Sequence, residues 1–247
     1  MSNTENKPFM VIDVYASGEG YLLYLLLRDY LTDIHSDICL RYIDRPLTAG
    51  GNISLFLIPQ PSEWEIQTLS AVPRKGKTFI LSANCGDIPE CMELKGEYLI
   101  EGLALVLDEI LNNPQLAEEI RAINPQIDGD LMKTLTEKLT FYIPLAVAKR
   151  DTILKGWKYY LGLKGFPLSG YLYPFEERQI LSILSNVGFQ DKMFPLLLGR
   201  TKADFVEEIK RRGFVPVEVL LKAKNNLESE LNYILLAKSV AERLQKL

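Results

Sequence analysis

Short apolar runs of strand length recur through the first half of this 247-residue chain and alternate with segments of helical character. Residues 9–15, 53–58 and 78–82 are rich in β-branched and aromatic side chains, which indicates buried strands. Residues 20–33 and 62–72 instead place apolar side chains at helical spacing. Such an alternation is typical of a parallel sheet with helices on both faces, so the first half is predicted to be an α/β domain.

The stretch 77–111 carries the most specific pattern of the chain. Its first strand ends in Ser82 and Ala83, and a second strand is predicted over 97–100, ahead of an amphipathic helix. These features resemble the last two strands and the final helix of a response-regulator receiver domain. The resemblance implies a flavodoxin-like, parallel five-stranded sheet with helices on both faces within residues 1–112.

The same resemblance implies a pocket whose chemistry this chain has lost. A working receiver is a magnesium-assisted phosphoryl acceptor, with an Asp at the end of its third strand and a Lys that neutralises the phosphoryl group. Here Pro59 follows the third strand and Glu101 takes the place of the Lys, a reversal of charge. Asp13 and Ser82 match an acidic and a hydroxyl position. The resemblance therefore predicts a pseudo-receiver with a degenerate pocket at Asp13, Pro59, Ser82 and Glu101.

A rival hypothesis concerns the turn of residues 17–20, which runs from Ser17 to Gly20 after the first strand. Its glycines, with Asp44 at the end of the next predicted strand, partly match a dinucleotide-binding fingerprint, although Leu23 replaces the third glycine. Backbone N–H groups at a helix N-terminus bind phosphate. Nucleotide binding at this turn is therefore kept as an alternative to a purely structural turn.

The second half of the chain differs in charge and in pattern. Residues 131–247 hold 19 Lys and Arg against 12 Asp and Glu, whereas residues 1–130 hold 9 against 20. A basic half joined to an acidic half indicates either a nucleic-acid-facing segment or basic residues on solvated helix faces. After a linker over 113–130, helical patterns that include a Pro144-kinked helix over 131–154 predict an all-α output domain over 131–247.

Residues 175–213 have the spacing of a helix-turn-helix unit, and their opening Glu177 and Arg178 resemble a LuxR-type output domain. The predicted helices cover residues 176–187, 191–198 and 202–212. Further helices are predicted over 217–224 and 228–244. The expected contacts to double-stranded DNA come from Arg200, Thr201, Lys202, Lys210, Arg211 and Arg212.

Composition bears on the location of the protein, on the state of its cysteines and on whether it is an enzyme. No apolar run reaches the roughly 18–20 residues of a membrane span, and the N-terminus lacks a signal-peptide pattern, so a cytoplasmic protein without membrane contact is predicted. Cys39, Cys85 and Cys91 are an odd, sparse set, which favours reduced thiols over a disulfide framework or a zinc site. With one histidine and no nucleophile–base pair, the protein is predicted to be no enzyme and to need neither cofactor nor metal.

Together these features predict a phosphorylation-independent transcription regulator. The first alternative is a signalling adaptor that binds a protein partner through the receiver-like domain and contacts no nucleic acid. The second is a nucleotide-binding protein that uses the turn at residues 17–20. An apolar stripe over 228–244 suits either burial within the chain or pairing with a second copy in a homodimer.

Overall fold

The computed structural model of the protein describes residues 10–47, 50–71, 76–124, 127–186, 188 and 191–246. The chain divides into two compact units, residues 1–123 and 124–247. The predicted element ends at residues 9, 72 and 187 lie outside the described residues.

The first unit is built on a parallel sheet in the order β2-β1-β3-β4-β5. Its strands are β1 (Met10–Ala16), β2 (Ile38–Tyr42), β3 (Ile53–Leu57), β4 (Lys77–Ser82) and β5 (Cys91–Glu93). Its helices are α1 (Gly20–Asp33), α2 (Glu63–Ala71), α3 (Tyr98–Leu105), which continues as a π-turn over Val106–Ile110, and α4 (Pro114–Arg121). β3 is buried along its whole length, as expected of a central strand covered on both faces.

The second unit is also built on a parallel sheet, in the order β7-β6-β8-β9. Its strands are β6 (Ile143–Ala148), β7 (Ser169–Leu172), β8 (Met193–Leu198) and β9 (Val217–Val219). Its helices are α5 (Gly129–Phe141), α6 (Asp151–Leu163), α7 (Glu177–Leu184), α8 (Ala203–Arg211) and α9 (Asn226–Leu244). Leu145, Val147 and Leu197 of the central strands pack against Ile180, Phe205 and Ile209 from the helices.

The predicted all-α second half is therefore wrong. The helix expected over 131–154 ends at Phe141, and Pro144 lies inside β6. A residue that precedes proline is pushed toward extended backbone, so the chain leaves the helix ahead of Pro144. Residues 191–198 and 217–224, also expected to be helical, contain β8 and β9. Short apolar runs such as these fit a buried strand and a buried helix equally well.

Two corrections apply to the first unit. Residues 97–100, predicted as a strand, open helix α3 instead, and the fifth strand is the short β5. Cys85 and Cys91, predicted to be reduced, form a disulfide with a Cα–Cα distance of 5.6 Å, while Cys39 is free.

Within the described residues, no helix combines the length and apolar character needed to cross a bilayer.

Candidate anion site at the second sheet

The second sheet has a topological switch point between β6 and β8. From β6 the chain passes to β7 on one side, whereas β8 pairs with the other side of β6, with Ala148 opposite Leu198. Loops that leave neighbouring strands at such a point diverge and open a crevice at the carboxyl edge, where ligands of open α/β sheets bind. Lys149 and Arg150 follow β6 directly, and Gly199 and Arg200 follow β8.

A cavity of about 350 Å³ lies at this edge. Its volume falls within the range of about 300–1,000 Å³ typical of small-molecule sites. The lining combines three cations with polar and apolar groups: Lys149, Arg150, Ile153, Leu198, Gly199, Arg200, Leu220, Leu221, Asn226, Ser229, Glu230 and Tyr233.

One face of α9 supplies the polar wall of the cavity. Ser229 and Glu230 each lie three or four residues from both Asn226 and Tyr233, so the four side chains lie along one side of the helix. The helix begins here because the Asn225 side chain accepts the Glu228 N–H at 2.8 Å, a standard N-cap.

Packing and hydrogen bonds hold α9 in place. A Cβ atom added to Gly156 of α6 would meet Ile234 Cγ1 at 2.7 Å, so the glycine allows the two helices to approach closely. The Tyr233 hydroxyl donates to the Val219 carbonyl at 2.9 Å and accepts the Leu221 N–H at 3.3 Å. Burial raises the pKa of Tyr233. This neutral hydroxyl ties α9 to the end of β9 and fixes the shape of the cavity.

The residues that line the cavity carry more positive than negative charge. The Glu230 side chain is 3% exposed, and its Oε1 atom lies 3.5 Å from Nε of Arg150, which is 34% exposed. A carboxylate this deeply buried requires a positive partner, and Arg150 provides it. Lys149 and Arg200 are exposed and add two further positive charges from the two strand-end loops. The cavity therefore has an excess of positive charge and suits an anionic ligand.

The equivalent switch point of the first unit, between β1 and β3, is closed by a carboxylate of the chain itself. Glu65 of α2 is buried and accepts the Tyr15 hydroxyl at 2.9 Å and both the N–H and the hydroxyl of Ser62 at 2.7 Å. Ser17 adds a further hydrogen bond to it. Burial alone would raise the pKa of Glu65, but these hydrogen bonds lower it below its ordinary value. A bound carboxylate therefore fills the position that an anionic ligand would need.

A second cavity, of about 340 Å³, lies beside that network. Its lining residues are Gln60, Pro61, Ile66, Ala83, Asn84 and Gly86, and none of these carries a charge. The first unit thus offers a neutral cavity beside an occupied anion position, whereas the second offers a cationic cavity.

Of the four residues of the predicted receiver pocket, the structure shows contact between Pro59 and Ser82. The Pro59 carbonyl accepts the Ala83 N–H at 3.0 Å and lies 3.3 Å from the Ser82 hydroxyl, so these two positions adjoin. Glu101 lies on α3, half-buried.

Asp13 lies in the middle of β1. Its carboxylate receives two hydrogen bonds from Arg41, at 2.6 and 2.9 Å, and one from the Gly51 N–H at 2.7 Å. Burial opposes ionisation of Asp13, but these bonds lower its pKa below the ordinary value. Asp13 serves as a structural ion-pair partner, and its site role remains a prediction from sequence.

In the turn at residues 17–20, some backbone N–H groups donate hydrogen bonds within the protein. The Ser17 N–H donates to Leu57, the Gly20 N–H to Ser17, and the next N–H to Gly18. A Cβ atom at Gly20 would lie 2.0 Å from the Leu57 carbonyl oxygen, so this glycine serves the close packing of α1 against β3. These contacts give the turn a structural role in the sheet, and nucleotide binding at it stays a prediction from the sequence.

The residues predicted to contact DNA occupy two separate places. Arg200, Thr201 and Lys202 follow β8 at the carboxyl edge, and Arg200 lines the cationic cavity. Lys210 and Arg211 end α8, and Arg212 follows directly after it as the C-cap.

Each of these last three cations pairs with a glutamate of the same helix. Lys210 contacts Glu207, and both Arg211 and Arg212 contact Glu208, at 2.9, 3.0 and 2.7 Å. The helix-turn-helix prediction is wrong because its second helix is strand β8.

Sequence reasoning missed Lys149, Arg150, Ser229 and Glu230. The available signal was a basic pair directly after the apolar run 143–148. Because that run was predicted as part of a helix, its basic pair was not recognised as the start of a strand-end loop.

Comparison with known proteins identifies the fold. No protein-family model and no curated relative matches the sequence. Among solved structures, glucosamine-6-phosphate deaminase from Thermotoga maritima is 13% identical, with a TM-score of 0.64 over 98% of this chain and 86% of that one. The C-terminal domain of glucosamine-fructose-6-phosphate aminotransferase from Francisella tularensis is 9% identical, with a TM-score of 0.65 over 95% and 84%.

A glucose-6-phosphate isomerase-like protein from Thermus thermophilus is 15% identical, with a TM-score of 0.58 over 94% of this chain and 79% of that one. These likenesses overturn the resemblance to response regulators and, with it, the prediction of a transcription regulator that is no enzyme. The chain has the fold of sugar-phosphate isomerases and deaminases.

Proposed function

We propose that the second unit binds a phosphorylated sugar in the cavity between the ends of β6 and β8. The observation that carries this proposal is the convergence of three cations, from two strand-end loops, with the polar face of α9 on one cavity. The cavity lies at the switch point of a parallel sheet, where ligands of open α/β folds bind.

The chemistry of the lining supports this ligand class. A phosphate monoester carries about −1.5 to −2 charges near neutral pH, and its oxygens accept strong hydrogen bonds from Lys and Arg. Asn226 and Ser229 offer both donors and acceptors for sugar hydroxyls, and Glu230 offers acceptors.

The comparisons support the same class. Solved proteins with this fold are named for glucosamine 6-phosphate, glucose 6-phosphate and tagatose 6-phosphate. These names belong to those proteins, and we carry over only what they share, a sugar that bears a phosphate.

The test is calorimetric titration of the full chain with glucose 6-phosphate, with glucose and with inorganic phosphate. We expect the sugar phosphate to bind more tightly than either part. Lys149→Ala combined with Arg200→Ala should weaken its binding at least tenfold, through the loss of two charge-assisted contacts.

The matched control is Lys133→Ala combined with Arg178→Ala, which removes the same charge from exposed positions of α5 and α7 outside the cavity. This control should bind the sugar phosphate as the unchanged protein does. Equal affinities in the two double variants would show that net charge, and not the cavity, holds the ligand.

A second candidate function is aldose–ketose isomerisation of the bound sugar phosphate. The observation that favours it is the buried Glu230 carboxylate among the lining residues. A carboxylate base that removes a proton from one carbon and returns it to the neighbouring carbon is what this reaction requires. The measurement is conversion of glucose 6-phosphate to fructose 6-phosphate, which Glu230→Gln should abolish. If the unchanged protein binds glucose 6-phosphate but does not convert it, isomerisation is ruled out and the protein only binds the sugar phosphate.

A further inference from the structure

The cationic cavity has two walls of different chemistry. The strand-end loops supply Lys149 and Arg200, which are exposed and positively charged. The α9 wall supplies Asn226 and Ser229, which are neutral, and Glu230, which is buried. A ligand that carries a phosphate at one end and hydroxyl groups at the other satisfies both walls in a single orientation.

The charge of the α9 wall is already balanced. Arg150 lies 3.5 Å from the Glu230 carboxylate, so this pair contributes no net charge. Lys149 and Arg200 then leave about two positive charges in the cavity, which the roughly two negative charges of a phosphate monoester neutralise. A further charge on the sugar itself would have no counterpart within the described lining.

We infer that the sugar ligand is uncharged apart from its phosphate and that Glu230, held by Arg150, is the residue that selects for this. The inference rests on the proposed sugar-phosphate function. A carboxylate on the sugar would meet the Glu230 carboxylate, and like charges brought together across a binding surface repel each other. An ammonium on the sugar would approach the positive charge of Arg150. The Glu230 carboxylate, which could attract the ammonium, is already paired with that arginine. Hydroxyl groups instead accept from Arg150 and donate to Glu230 without changing the charge balance.

The experiment is a calorimetric comparison, at pH 7 and constant ionic strength, of three ligands that share a six-carbon chain and a 6-phosphate. Glucose 6-phosphate is neutral in its sugar part, glucosamine 6-phosphate carries an ammonium and 6-phosphogluconate carries a carboxylate. We expect glucose 6-phosphate to bind at least tenfold more tightly than either of the others. An amino sugar phosphate or a sugar acid phosphate that binds as tightly as glucose 6-phosphate would overturn the inference while leaving the proposed function standing. If none of the three binds, the proposed function fails and the inference fails with it.

Glu230→Gln tests the residue itself. With the carboxylate gone and Arg150 left in place, the affinity for 6-phosphogluconate should rise relative to that for glucose 6-phosphate by at least fivefold. An unchanged ratio in a folded variant would remove Glu230 from the selecting role. Glu242→Gln removes a carboxylate from an exposed position of the same helix outside the cavity, and it should leave this ratio unchanged, so it serves as the control. Should Glu230→Gln fail to fold, the three-ligand comparison on the unchanged protein still decides the inference.

Discussion

Nε of Arg150 lies 3.5 Å from Oε1 of Glu230, and this contact joins the loop after β6 to the first turns of α9. The pair places a buried carboxylate and a half-buried guanidinium in the same cavity wall. The contribution of this pair to protein stability can be measured separately from its contribution to ligand binding, because unfolding is measured without a ligand.

Removal of the arginine should destabilise the second unit. Arg150→Ala leaves the Glu230 carboxylate buried without its guanidinium, a change that costs about 3–5 kcal/mol for a fully buried pair. Since Arg150 is 34% exposed, solvent screens part of the interaction and we expect a loss of about 1–2 kcal/mol. Urea unfolding followed by the fluorescence of buried Trp157, in a Trp64→Phe background, measures it. Lys133→Ala, which breaks an exposed pair with Glu137, should cost less than about 0.5 kcal/mol.

Glu65 should give the first unit a stability contribution that disappears in acid. The pKa of its carboxyl is lower in the folded protein than the ordinary value of 4.5, so folding favours the ionised form. The contribution is therefore present above about pH 5 and is lost as the pH falls through the folded pKa. Glu65→Gln should cost about 2 kcal/mol at pH 7, because its amide brings a donor toward the donors of Tyr15 and Ser62.

The measurement for Glu65 is the free energy of unfolding at pH 7, 5 and 3. Between pH 5 and 3 the unchanged protein should lose more stability than the Glu65→Gln variant. The control is Glu63→Gln, two residues earlier on α2 and exposed, which should change stability by less than about 0.5 kcal/mol. A steeper acid dependence in Glu65→Gln than in the unchanged protein would contradict the assigned ionisation.

The disulfide between Cys85 and Cys91 should stabilise the first unit modestly. It closes a short loop, and the chain-entropy relation gives about 2 kcal/mol for a loop of this length. Cys85→Ser combined with Cys91→Ser should lower the free energy of unfolding by that amount, and dithiothreitol should then have no further effect. Cys39→Ser, at an exposed free thiol, should leave stability unchanged.

The elements that the sequence predicts well share one property: each is flanked by a clear end signal. β1 is followed by the glycine turn of residues 17–20. Ser62 caps α2, with Glu65 in the capping-box position, and the structure shows both hydrogen bonds of that box. By contrast, residues 97–100 belong to a short segment between Gly96 and Gly102 with only three consecutive apolar residues, and both a strand and the first turn of a helix fit it.

The site could not be predicted because its position depends on β6 and β8. Pro144 and Pro195 lie inside these strands, and proline within an apolar run is ordinarily evidence against a central strand. Once β6 is assigned to a helix, Lys149 and Arg150 become surface residues of that helix and lose their place at the switch point. Glu230, some 80 residues further along the chain, can be connected to Arg150 only through the tertiary structure.

Two glycines of α6 should respond to alanine in opposite directions. A Cβ atom at Gly156 would lie 2.7 Å from Ile234 Cγ1, whereas a Cβ atom at Gly162 would meet nothing within 4 Å. Gly156→Ala should therefore push α6 and α9 apart and cost about 1–3 kcal/mol, as overpacked cores do. Gly162→Ala should instead stabilise the unit by about 0.5–1 kcal/mol, because alanine has the higher helix propensity and meets no obstacle. Urea unfolding of the two variants measures both effects, and destabilisation of similar size in both would show that the close α6–α9 contact does not depend on Gly156. Because Glu230 lies on α9, one turn before Ile234, Gly156→Ala should also weaken sugar-phosphate binding, while Gly162→Ala should leave it unchanged.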